Sequence, residues 1–144
     1  MGACLARLLL FWGVLFWAIC CADGADVDVV DSWSGKIRDA SLRVLEPESG
    51  FISDTKVWKN LWAAWRPGKG LPSVDFREEL ILVGTVAGPN LVILWPTVND
   101  SGSVNLAVAG TKIAGPGFGY KLVKVRRKDL WSINGIPLDK DERR

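Results

Sequence analysis

In SDTKVWKNLWAAW, residues 53 to 65, the apolar positions Val57, Trp58, Leu61, Trp62 and Trp65 recur at steps of three and four. That spacing lays one stripe along a helix and predicts helix over about residues 54–66. Lys56, Lys59, Asn60 and Arg66 lie off the stripe and give the helix a wet side. Ser53 is placed to cap it, Asp54 suits the positive end of its dipole, and Ile52 and Val57 occupy the two positions of a hydrophobic staple. Pro67, Gly68 and Gly70 end it. A tryptophan can bury on the order of 150 to 250 Å². Val57, Trp58, Leu61, Trp62 and Trp65 are therefore expected as core, with an exposed platform for sugar or peptide as the alternative.

The period changes from Leu80 onward. ELILVGTVAG is rich in β-branched residues and apolar on both alternating faces, the pattern of a strand covered on both sides. GPN at 88 to 90 reads as a short turn joining it to LVILW in a hairpin, and NDSG at 99 to 102 as a turn into SVNLAVAG. YKLVKVR is a further strand, and the Asn-Gly pair at 134 to 135 signals a tight hairpin. Between residues 26 and 50 only short alternating pieces occur, SWSGKI and SLRVL, read as edge strands or ordered loop. The predicted class is α+β: a small, mostly antiparallel sheet of about four to six strands packed by one tryptophan-rich helix.

The N-terminal residues change the picture of compartment. A single basic side chain, Arg7, precedes an uninterrupted apolar run of fifteen residues, Leu8 to Ala22, followed by small residues and an acidic start. This is the layout of a signal peptide, with cleavage expected between Ala22 and Ala25. The run is shorter than the roughly 20 residues that span a bilayer. A lipoprotein would need a small residue before its cysteine, whereas Ile19 precedes Cys20, and MGACLA lacks the hydroxyl residue of a myristoylation signal. The resulting organisation is a signal peptide over 1–24, an N-terminal extension with edge strands over 25–50, a single α+β domain over 51–138 and a flexible tail over 139–144.

Cys4, Cys20 and Cys21 all lie in the segment to be removed, and the chain has no histidine. The mature chain would have no disulfide, no Ser-His or Cys-His nucleophile and few of the ligands that transition-metal sites use. We expect neither cofactor nor metal. Net charge is +2, but residues 25 to 54 hold seven acids against three bases and residues 112 to 144 nine bases against four acids. Solvated faces account for this; a basic patch for an acidic partner or a membrane surface is the sharper alternative. Nucleic acid is a poor fit to an exported chain.

Candidate chemistry is sparse. AGPGFGY at 114 to 120 has the glycines of a phosphate loop, yet it runs into a strand where such a loop opens a helix. If extended, its glycines share one face that a neighbouring backbone can approach, with Pro116, Phe118 and Tyr120 on the other. SDTK at 53 to 56 matches S-x-x-K without the companion motifs of penicillin-recognising enzymes. Asp75, Glu78 and Glu79 are the clustered carboxylates available for acid-base work, although adjacent Glu78 and Glu79 would point to opposite faces. Asp26, Asp28 and Asp31 do not fit the calcium-loop spacing. Asn99 to Ser101 would accept a glycan only in a eukaryotic source.

Four stretches in order, GFISDTKVWKNLW, LPSVDF, ELILVGTVAGPN and PGFGYKLVKV, resemble the PrcB-type C-terminal domain of secreted bacterial proteins. That family is named for a protein that stabilises a surface protease complex. The resemblance covers residues 51–126, with LPSVDF before an apolar strand its most specific part. Where the family has a Gly-Gly turn and a following tyrosine, this chain has AGPNLVIL. Tryptophan-rich exported proteins of planctomycete-type bacteria, without assigned function, are similar as well. The PrcB-type resemblance implies protein interaction without catalysis, in keeping with the missing histidine and cysteine.

The expectation is therefore an exported, cofactor-free binding or scaffolding domain whose partner is another extracytoplasmic protein, with no membrane span after cleavage. Its expected surface is a loop end formed by Asp75, Phe76, Gly88, Pro89, Asn90, Phe118, Gly119 and Tyr120. Lys124, Arg126 and Arg127 would steer the partner. A small carboxylate enzyme and a carbohydrate-binding module, which would need exposed tryptophan, are the alternatives.

Overall fold

The strand ELILVGTVA is apolar on both faces, and the fold covers both. The computed structural model describes residues 25–139. The signal-peptide run, its cleavage point, the cysteines and residues 140–144 of the tail lie outside them. In chain order the elements are β1 (Ala25–Asp26), β2 (Val29–Ile37), a 3-10 segment (Ala40–Leu45), β3 (Phe51–Ile52) and α1 (Thr55–Trp65), then β4 (Glu79–Ala87) and β5 (Val92–Val98). They are followed by β6 (Ser103–Gly110), β7 (Phe118–Arg126), β8 (Ser132–Ile133) and β9 (Ile136–Pro137). One sheet has four strands in the order β2-β7-β4-β3, and a second has five in the order β1-β5-β6-β8-β9. All pairings are antiparallel except that of β6 with β8.

The molecule is mainly antiparallel sheet with a tryptophan-rich helix, but the expected single sheet is two. The reason lies in β4 and β7. On β4, Ile81 and Val83 join the core beneath α1, whereas Leu80 and Leu82 join a second core between the sheets. On β7, Phe118, Tyr120 and Leu122 face the helix, and Val123 and Val125 face the second sheet. Strands apolar on both faces need cover on both, and β5 and β6 supply the second cover with Leu94 and Val104. The described residues thus stack as helix, four-stranded sheet and five-stranded sheet.

The expected hairpin between β4 and β5 is also corrected. β4 pairs with β3 and β7, while β5 pairs with β1 and β6. Gly88, at a left-handed φ of 81°, turns the chain out of its sheet, and its N–H donates to the Gly117 carbonyl at 2.8 Å. Asn90 holds the corner, its amide donating to the Ala87 carbonyl at 2.6 Å while its oxygen accepts from the Ile113 N–H at 2.6 Å. The Asn90 carbonyl lies against Gly119, where a side chain would have no room. By contrast β5 and β6 do form the hairpin expected at NDSG, and β8 and β9 the one expected at Asn134-Gly135. Asn134 and Gly135 there have φ of 49° and 79°.

The N-cap of α1 is Asp54, one residue later than the expected Ser53, its carboxylate accepting the Val57 N–H at 2.9 Å. Trp58, Leu61, Trp62 and Trp65 are buried, but Val57 is 43% exposed and is not core. It sits at the edge of the stripe, in the first turn, where its side chain meets water. Trp33 of β2 packs edge-on to Trp62 with ring centroids 5.3 Å apart, and Trp65 meets Phe118 and Tyr120, each at 5.2 Å. Each buried indole of the helix finds an acceptor. Trp58 donates to the Pro72 carbonyl, Trp62 to that of Lys69 and Trp65 to that of Leu42. The cluster thereby also anchors the loop after α1 and the 3-10 segment before it.

Candidate functional site

The loop end expected as a binding surface is mostly interior. Phe76, Phe118 and Tyr120 are buried beneath α1, Gly88, Asn90 and Gly119 are buried in the sheet-to-sheet corner, and Pro89 is partly covered there. Arg127 is buried, with its guanidinium donating to the Phe76 carbonyl at 3.0 Å. Lys124 is largely covered, 3.5 Å from Glu79 and 3.3 Å from the Ser73 carbonyl. Of the expected set, Asp75 and Arg126 remain exposed. Asp75 shapes its own turn by accepting the Arg77 N–H at 3.0 Å, and Arg126 pairs with Asp28 at 3.0 Å. The cause of the miss is the strand β7. Its aromatic residues continue the inward alternation of Leu122 rather than capping a loop.

Of the candidate carboxylates, Asp75 and Glu79 are occupied in local structure. Glu79 is the partner of Lys124 and accepts the Asp75 N–H at 3.2 Å. Asp39, at the start of the 3-10 segment, is held below the ordinary carboxylate value by hydrogen bonds from the Ser41 hydroxyl and N–H. No group of His, Cys, Asp or Glu able to hold a metal ion occurs among the described residues.

Two features stand out as able to take a partner. The first is the outer face of the five-stranded sheet. On β5 the alternation puts Val92 and Leu94 inward, so Ile93 and Trp95 point out; they are 49% and 53% exposed, and Leu91 just before them 62%. Their cross-strand neighbours on β6 are Ala109 and Ala107. Two methyl side chains beside a row of large apolar ones leave a flat, greasy surface with the Trp95 ring standing on it. Thr97 and Asn105, the next pair in register, form its polar border. Sequence reasoning passed over these residues, although the unbroken run LVILW could have shown apolar residues on both faces of β5.

The second feature is a groove of about 650 Å³ where the two sheets part, with Val83, Leu106 and Val108 among its lining and Arg43, Glu46 and Glu48 along one side. Glu46 accepts from the Thr85 hydroxyl at 2.6 Å and lies 3.3 Å from the Arg43 guanidinium, which also donates to Thr85 at 2.9 Å. Asn134 closes one end, its oxygen accepting the Leu106 N–H at 3.0 Å.

Comparison with family models, curated proteins and solved structures finds no match to this chain. The PrcB-type resemblance rests on its own sequence stretches. No helix among the described residues is long and apolar enough to cross a membrane.

Proposed function

We propose that the protein is an exported, non-catalytic interaction domain that binds another extracytoplasmic protein through the outer face of its five-stranded sheet. The observation that carries this is the row Leu91, Ile93 and Trp95, each about half exposed or more, beside Ala107 and Ala109. Leaving large apolar side chains side by side in water forgoes stabilisation at about 25 cal/mol per Å². Contiguous patches of this kind mark contact surfaces, and an aromatic ring is a usual anchor. The role implied by the PrcB-type resemblance is of the same kind.

The test compares cross-linking of the wild-type protein and of Trp95→Lys in the extracytoplasmic fraction of the source. Because the ring already stands in water, the variant should melt with the wild type while its yield of the dominant cross-linked partner falls at least about tenfold. An undiminished yield would remove this face from the interaction. A second reading has one supporting observation: a carbohydrate-binding module needs exposed tryptophan, and Trp95 stands beside Thr97 and Asn105. Saturable quenching of Trp95 fluorescence by soluble oligosaccharides would favour it over a protein partner.

A further inference from the structure

Both sheets leave edge backbone groups without a strand beside them among the described residues, and the edge of β6 is one that borders the groove. The long edge strand β2 has its Ser34 carbonyl covered by the Arg66 guanidinium at 3.3 Å. β5 has β1 beside Thr97 and Val98 and a proline, Pro96, next along. β9 is two residues long. β8 pairs with β6 only at Ser103 and Val104, and Leu106 and Val108 beyond that point line the groove.

The direction of the backbone groups beyond that point follows from the ladder. Thr111 donates to Leu91 across the β5–β6 hairpin and Asn99 to Ser103, so the odd-numbered residues of β6 bond to β5. The even-numbered ones turn away. Two of these groups are already satisfied on that side by Asn134, whose N–H donates to the Val104 carbonyl at 2.8 Å and whose side-chain oxygen takes the Leu106 N–H. Past Asn134 the Leu106 carbonyl, both backbone groups of Val108 and the Gly110 N–H have no strand beside them among the described residues. Such a row is a template for one more strand.

The groove gives that strand a side-chain preference. Val108 packs over Gly84 and is 43% exposed, so a side chain placed beside it on the same face reaches into the groove. Glu46 there is matched by Arg43, but Glu48 makes no ion pair among the described residues. One acid is left without a counter-charge beside an apolar floor.

We propose that the open edge of β6, from Leu106 to Gly110, receives an extended segment of the partner protein as an added strand, with a lysine or arginine of that segment directed at Glu48. The proposal rests on the protein-interaction reading and names the form of the partner. Main-chain hydrogen bonds supply affinity in such strand addition, and the inward side chain supplies selection.

The probes are three blocked hexapeptides: alternating threonine and valine with one central lysine, the same with glutamate for lysine, and the lysine peptide with N-methylated backbone. The Val108 and Gly110 amides are followed by NMR. The lysine peptide should shift both amides and slow their hydrogen exchange by about tenfold. The glutamate peptide should bind about fivefold more weakly, and the N-methylated peptide should leave both amides unmoved. Glu48→Lys should invert the charge preference. Val108→Pro, which deletes an N–H the fold does not use, should abolish the response; if that variant fails to fold, the N-methylated peptide decides the same point. Unmoved amides at millimolar lysine peptide, equal response to the N-methylated peptide, or β6-mediated self-association in its place would each overturn the proposal. An unresponsive edge together with a partner lost in Trp95→Lys would sink the strand addition alone and leave the interaction reading standing.

Discussion

Trp62 and Val57 lie on the same apolar stripe, five residues apart, and the structure treats them oppositely. Trp62 packs against Trp33 and Trp58 and stacks beneath Arg66, whose guanidinium carbon lies 4.9 Å from its ring. Trp62→Ala should therefore cost about 3 to 5 kcal/mol in chemical denaturation, and Val57→Ala no more than about 0.5 kcal/mol. A similar loss for both would mean that the helix is rotated relative to the account given. The spacing of apolar residues located the tryptophan core because the 3.6-residue period is carried by the local chain. It placed Val57 with the core because a stripe's edge cannot be told from its centre without knowing what packs there. Phe118 and Tyr120 belong to the expected binding surface, while their two-residue step toward Leu122 is the signal of inward residues on a strand. The burial of Arg127 depends on carbonyls from distant chain segments, and no local pattern announces it.

Capping separates the elements more finely than periodicity. Since the Asp54 carboxylate accepts the Val57 N–H, Asp54→Ala should lower stability by about 1 kcal/mol, whereas Ser53→Ala should stay within about 0.5 kcal/mol. Matched denaturation curves of the two variants check this. The α1 helix and the β5–β6 and β8–β9 hairpins were readable because each is closed by residues close in sequence. The corner between β4 and β5 was not. Its GPN has the composition of a hairpin turn, and what sends β5 into the other sheet is the Gly88 bond to Gly117 and the Asn90 bonds to Ala87 and Ile113. Only the double-sided apolarity of β4 hinted that a second layer was needed.

For the described residues together, the helix and two sheets leave the largest aromatic side chains inside and put the exposed apolar row on the sheet farthest from the helix. Most of the expected loop end is buried, and the apolar row on β5 is the contact surface proposed in its place. The missing histidine and the confinement of cysteine to the N-terminal segment fit binding better than nucleophilic catalysis. The most direct measurement is hydroxyl-radical footprinting of the protein with and without its cross-linking partner, read at single side chains. Protection of Leu91, Ile93 and Trp95, with Asp75 and Arg126 still oxidised at their free rates, is the result expected. Protection of Asp75 and Arg126 with Trp95 unchanged would contradict the account and return the contact to the opposite reading.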